Sequence, residues 1–226
     1  MVGNDLSSAD IERKIKENAS DIKKIMFGFQ VSGGKKEENS YICERFGGSY
    51  MDIGQLHGRT SDKIRKWIAK MFAGTGYKLN WQDDMESYLI CHPAAILPIG
   101  YLSYICDGDL RKSTSAQRKM MFDASHEAFE CLKRKGLSVY PKGDDKFYGS
   151  GAKGKLMKVL YFIMAKSKIG DLIACEHCRN AVSEMEEIDL FYENLLKDCS
   201  SSELATWNRL RGMMPLWQEL HKKYGN

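Results

Sequence analysis

Two periodicities divide the chain. Near its start, short apolar runs alternate with polar residues or cluster between glycines, as strands do; elsewhere apolar positions recur every three or four residues, as in helices. Strands are predicted at 25–31 (IMFGFQV), running into Gly33-Gly34, at 40–46 (SYICERF), at 49–54 (SYMDIG) and at 77–81. Gly47-Gly48 reads as the turn joining the second strand to the third. Two helices interleave with them. The first covers 8–18, capped by Ser7 or Ser8; the second covers 60–72 behind Thr60 or Ser61, with Ile64, Trp67, Ile68 and Met71 at helical spacing.

Beyond residue 81 the pattern is helical. Residues 85–99 (MESYLICHPAAILPI) form a long apolar helical pattern interrupted by Pro93 and Pro98. Met121, Ala124, Ala128, Phe129 and Leu132 make one face of a helix that stops at Gly136. Further helices are predicted at 156–165, 171–196 and 202–224, the last bent near Gly212 and Pro215. The change at residue 81 predicts two parts: a mixed one, 1–80, and a helical one, 81–226. The fold class is therefore α+β, mostly α.

Composition narrows the function. The 226 residues, 43% apolar and 28% charged, suffice to bury a core. The net charge of +4 comes from interleaved acids and bases, which suits solvated helix faces and excludes the clustered basic face of a nucleic-acid binder. No apolar run approaches the roughly 18–20 residues of a membrane span, and the start MVGNDLSSAD lacks the apolar segment of a signal peptide. A cytoplasmic protein without a membrane partner is expected. Seven scattered cysteines suit a reducing compartment.

Four constellations carry possible chemistry. Residues 149–155 (GSGAKGK) match both G-x-G-x-x-G and G-x-x-x-x-G-K, in which backbone N–H groups and a lysine cradle phosphate. The polar loop before them, Leu156 in place of a Ser or Thr, and the helical remainder favour a basic loop entering a helix. Cys175 and Cys178 flank His177 without a second ligand pair, so buried or surface thiols are favoured over zinc, and no metal is expected. Cys91 and His92 are adjacent on a helix, about 100° apart, and cannot pair directly. Glu184, Glu186 and Glu187 crowd one helix; Glu184 and Glu187 share a face with Ile188 and Phe191, so either can enter a cleft.

The order of several segments resembles the ketopantoate reductase family, the 2-dehydropantoate 2-reductases. MVGND resembles the end of a strand bearing the family's Gln-Asn-Gly loop, with Asn4 as the cofactor-side candidate; IMFGFQVSGGKKEEN resembles the next strand; GGSYMDIGQLHG resembles the hairpin after it. YLICHPAAILPI resembles the helix opening the C-terminal domain, and HCRNAVSEMEEI the late helix carrying a substrate-binding glutamate.

The resemblance implies a partial Rossmann-type sheet followed by an all-helical domain of the 6-phosphogluconate dehydrogenase C-terminal type. It also implies NADPH and a small 2-keto acid in the cleft, hydride transfer to the keto carbon, and a lysine at the carbonyl oxygen. That lysine's position falls at Ile90, which donates no proton; losing a general acid costs a factor of about 10²–10⁴. His92 lies two residues on, about 200° around the helix, so it does not replace the lysine without rearrangement; it stands with the glutamates as a substrate-binding candidate. The register through His177 favours Glu184 as the family glutamate, with Glu187 the alternative. The family's phosphate loop has no counterpart here, and no complete βαβ unit is expected, so the chain is expected to be inactive alone. Its partner would be a separate N-terminal half or a second copy. A rival reading is a non-catalytic protein that keeps the helical domain for dimerisation or ligand binding.

Overall fold

The computed structural model describes residues 1–18, 25–30, 33–44 and 49–225. The predicted Gly47-Gly48 turn and the ends of two predicted strands, at Val31 and at 45–46, lie outside them. Five strands form among the described residues: β1 (Phe27–Gln30), β2 (Gly33–Glu37), β3 (Ser40–Glu44), β4 (Tyr50–Gly54) and β5 (Lys78–Trp81). With the helices they make a mostly helical α+β fold. Contacts divide the chain into two compact units, Met1–Ser32 with Arg45–Ile90, and Gly33–Glu44 with Cys91–Asn226.

The first unit holds a three-stranded sheet in the order β1-β4-β5, and α1 (Ser8–Asn18) precedes its first strand. β4 is antiparallel to β1 and parallel to β5. Val2 bridges Gly28 in parallel, with Gly3 N–H donating to the Gly28 carbonyl at 3.0 Å. The chain passes from β4 to β5 through α2 (Asp62–Met71), so β4, α2 and β5 do form a βαβ unit, contrary to expectation. Its connection is not a phosphate loop: 55–61 read QLHGRTS, and α2 opens on the carboxylate of Asp62. Met51, Ile53 and Ile68 are its core, with Ile64, Phe72, Leu79 and Trp81 packed against them. Spacing alone placed Trp67 and Met71 on that face as well. Both are instead exposed, because Ile64, Ile68 and Phe72 already fill the stripe that meets the sheet.

Among the described residues the second and third predicted strands do not pair with each other. β3 pairs antiparallel with β2, through the turn at 38–39, and this pair belongs to the second unit. Gly33-Gly34, read as the end of a strand, begins one. The glycines gave a turn signal, and backbone pairing overrode it.

α3 (Met85–Ile105) passes through Pro93 and Pro98 without ending, where the sequence pattern suggested interruption. Proline removes one backbone donor and crowds the preceding turn, so groups nearby need other partners. One is supplied within the second unit: the fully buried Tyr192 hydroxyl hydrogen-bonds the backbone of Ala94, the residue after Pro93. Ala94, Leu97, Tyr101 and Leu102 are completely buried. Among the described residues α3 alone is long and apolar enough to cross a membrane, but 67% of its apolar stretch is buried in the fold, as in a core helix.

α4 (Ser115–Arg134) starts at a capping box, with Gln117 N–H donating to Thr114 Oγ1 at 3.2 Å and Thr114 N–H to Gln117 Oε1 at 2.8 Å. It ends before Gly136, whose φ of 81° is the left-handed conformation that favours glycine. All five residues of its predicted apolar face are buried. α5 (Ala152–Ala165) follows a polar loop. The single helix expected over 171–196 is broken: α6 (Lys168–Gly170) leads into a π-helical turn, Asp171–Cys175, then α7 (Glu176–Asn180) and α8 (Val182–Leu196). Ala181, at φ −129° and ψ 41°, makes the break. Arg179 anchors the short α7 by donating to Asp171 at 3.0 Å, to Glu176 at 2.5 Å and to the Gly108 carbonyl. The bend near Gly212 and Pro215 separates α9 (Ala205–Gly212) from α10 (Trp217–Tyr224).

Candidate functional site

Three helices of the second unit bring together His92, His177 and Glu184. His92, on α3, is half-buried, and its dense surroundings push its pKa down to about 4, chiefly by desolvation and secondarily by repulsion from His177. His177, on α7, places Nε2 3.9 Å from Glu184 Oε2, on α8, with both side chains about two-fifths exposed. Seven residues of a continuous helix span about 10.5 Å of rise, so the break at Ala181 folds these two positions toward each other. The result is a neutral imidazole beside an imidazole–carboxylate pair. A neutral ring offers one N–H donor and one acceptor; the pair offers a carboxylate acceptor and a ring that is positive when protonated. Such a set can hold a small acid bearing a hydroxyl.

The other predicted positions are dispersed. Glu187 lies on the exposed side of α8, because Val182, Met185, Ile188, Tyr192 and Leu196 take the inner stripe. Ile90 is half-buried on α3, two residues before His92. Asn4 is half-buried in the first unit, just after the segment bridged to β1.

The glycines of 149–155 serve packing. A Cβ on Gly154 would stand 1.9 Å from the Gly149 carbonyl oxygen, so the first turn of α5 closes directly on the backbone before it. The thiols of Cys91, Cys106, Cys131, Cys175, Cys178 and Cys199 are all buried and form no disulfide with one another. Burial pushes the thiol pKa of Cys175 up and that of Cys178 up to about 12. Among the described residues no three His, Cys, Asp or Glu side chains are placed to hold a metal.

Sequence reasoning assigned no role to His177 and overlooked Asp189. Asp189 is 1% exposed and accepts bonds from the Tyr101 hydroxyl, from Arg211 Nε at 2.8 Å and Nη2 at 2.7 Å, and from Trp217 Nε1 at 3.1 Å. These bonds tie α3, α8, α9 and α10 together, a structural task. The signal was there: Val182, Met185, Asp189, Tyr192 and Leu196 follow a 3-4-3-4 spacing, which puts an acid on the buried stripe.

No protein-family model matches the sequence, and no curated protein matches it either. Solved structures do share its fold. A ternary structure of D-mandelate dehydrogenase with NADH and anilino(oxo)acetate aligns over 95% of this chain and 65% of its own, with a TM-score of 0.61 and 11% identity. A 2-dehydropantoate 2-reductase from Geobacter metallireducens aligns over 83% of this chain and 60% of its own, at a TM-score of 0.58 and 15% identity. A ketopantoate reductase, described as putative, from Ralstonia solanacearum aligns over 97% and 61%, at 0.54 and 12%. The chain thus spans less than two thirds of the length of each of these three proteins, and at such identities the likeness is one of fold.

Proposed function

We propose that the second unit is the substrate half of a 2-keto acid reductase of the ketopantoate reductase kind, and that His92, His177 and Glu184 hold a small 2-keto or 2-hydroxy acid. The observation carrying this reading is the convergence of these three side chains, in a chain whose fold is that of ketopantoate reductases and D-mandelate dehydrogenase. Glu184 accepts a bond from the substrate hydroxyl, His177 donates a ring N–H to its carboxylate, and neutral His92 donates an N–H to a substrate oxygen.

A nicotinamide cofactor, NADPH by family resemblance, accompanies this chemistry in such enzymes. The described residues do not fit it: the one βαβ unit presents Asp62 where a phosphate would sit, and the glycines of 149–155 are closed by packing. With Ile90 in place of a proton donor, the chain in this form binds acid but does not reduce it at reductase rates. The partner this reading calls for is a chain carrying the dinucleotide half or a second copy of this one, in a cytoplasmic setting that suits buried reduced thiols.

Two titrations test the reading. NADPH fluorescence should show no saturable micromolar binding, while 2-dehydropantoate should perturb His177 resonances, with affinity falling at least about tenfold in Glu184→Gln. Micromolar NADPH binding with turnover, or keto-acid binding indifferent to Glu184→Gln, would sink it.

A further inference from the structure

Among the described residues, the exposed large apolar side chains gather most densely on the outer face of α5. Gly154, Tyr161 and Ala165 face the core. Opposite them Leu156, Val159, Leu160 and Ile163 repeat at i, i+3, i+4 and i+7, with Phe162 beside them, and each is 47–60% exposed. Half of a large apolar side chain is on the order of 100 Å², so the five expose about 500 Å², toward the upper end for a monomer.

From this we propose that α5 is the seat of a two-fold contact with a second copy of this chain, the two helices running antiparallel. The first argument is area. A stable interface removes about 800 Å² per partner, roughly 60% of it apolar, which is about the apolar area this face supplies.

The second is self-complementarity, which a two-fold contact requires. A dyad between Val159 and Leu160 sets Leu156 against the partner's Ile163 and Val159 against the partner's Leu160, so every member of the stripe meets another.

The third is how the helix treats its lysines. Lys153 Nζ sits 5.4 Å from the centre of the Phe147 ring, Lys158 Nζ 5.7 Å from that of Phe122, and Lys166 donates to the Arg111 carbonyl. Three cations near the ridge are folded back onto their own chain, while Lys155 stays exposed beside Leu156 and the Arg118 guanidinium lies 4.9 Å from the centre of the Phe162 ring at the edge of the ridge. A lipid-binding helix would instead extend them toward headgroups.

The same dyad brings position 153 opposite the partner's position 166 at both ends of the contact; with both ammoniums turned back onto their own chain the repulsion is mild, and added salt relieves it. Sedimentation equilibrium of the full chain should therefore give a dimer at tens of micromolar, tightened by salt. Val159→Glu should weaken it at least tenfold with helicity by circular dichroism unchanged, since the residue is exposed. Lys153→Glu should tighten it, because each copy then offers a carboxylate to the partner's Lys166. A monomer at those concentrations overturns the proposal. So does a dimer indifferent to Val159→Glu, a dimer weakened by Lys153→Glu, or monomeric protein that pellets with phosphatidylserine vesicles.

Discussion

His92 and Asp189 are polar groups in the same helical unit, and their surroundings treat them differently. Asp189 is met by four donors, and its bonds push the Arg211 guanidinium further up in pKa. His92 is held neutral by burial, with a folded pKa of about 4 against an ordinary 6.5. The linkage follows directly. Between those two values the unfolded chain binds a proton that the folded chain refuses, so stability falls as pH drops from 6.5 toward 4. The loss should be on the order of 2–3 kcal/mol, read by urea unfolding at stepped pH, and His92→Gln should flatten that slope. Asp52, whose pKa burial raises, acts with the opposite sign, so the comparison is between variant and parent at each pH. At this scale the sequence displayed Glu184 and His92 as candidates. It did not display the neutrality of His92, which depends on atoms contributed by separate elements.

Helices proved more legible than strand partners. The face of α4, its stop at Gly136, and the bend between α9 and α10 all follow from local spacing and turn chemistry. Which strand β3 joins was not local information: β2 and β4 lie on either side of it in sequence, the glycine turn signal marks the connection to β4, and pairing chose β2 through 38–39. The break at Ala181 was equally hidden, because 171–196 is apolar at helical spacing throughout and the break is held by Arg179 and its distant partners. The continuity of α3 has an explanation open to test. If the Tyr192 hydroxyl secures the turn after Pro93, Tyr192→Phe should cost about 1–2 kcal/mol in chemical denaturation, with amide exchange accelerated around Ala94. An unchanged midpoint and unchanged exchange would refute that role.

Across the whole molecule, the fold class was legible from the switch in periodicity, while the composition of each unit was not. Residues 33–44 count with the helices rather than with the neighbouring strands, because among the described residues β2 pairs with β3 and β2 runs beside residues 171–180. Self-association through α5 would couple stability to concentration: the thermal midpoint should climb as protein concentration rises, and the Val159→Glu variant should abolish that climb. The buried cysteines carry a different consequence. A thiol-specific reagent meets Cys91, Cys106, Cys131, Cys175, Cys178 or Cys199 only when the surrounding helices part. Covalent damage to any of them is therefore gated by the fold's own breathing, so each alkylated or oxidised site records an opening of the segment that shelters it.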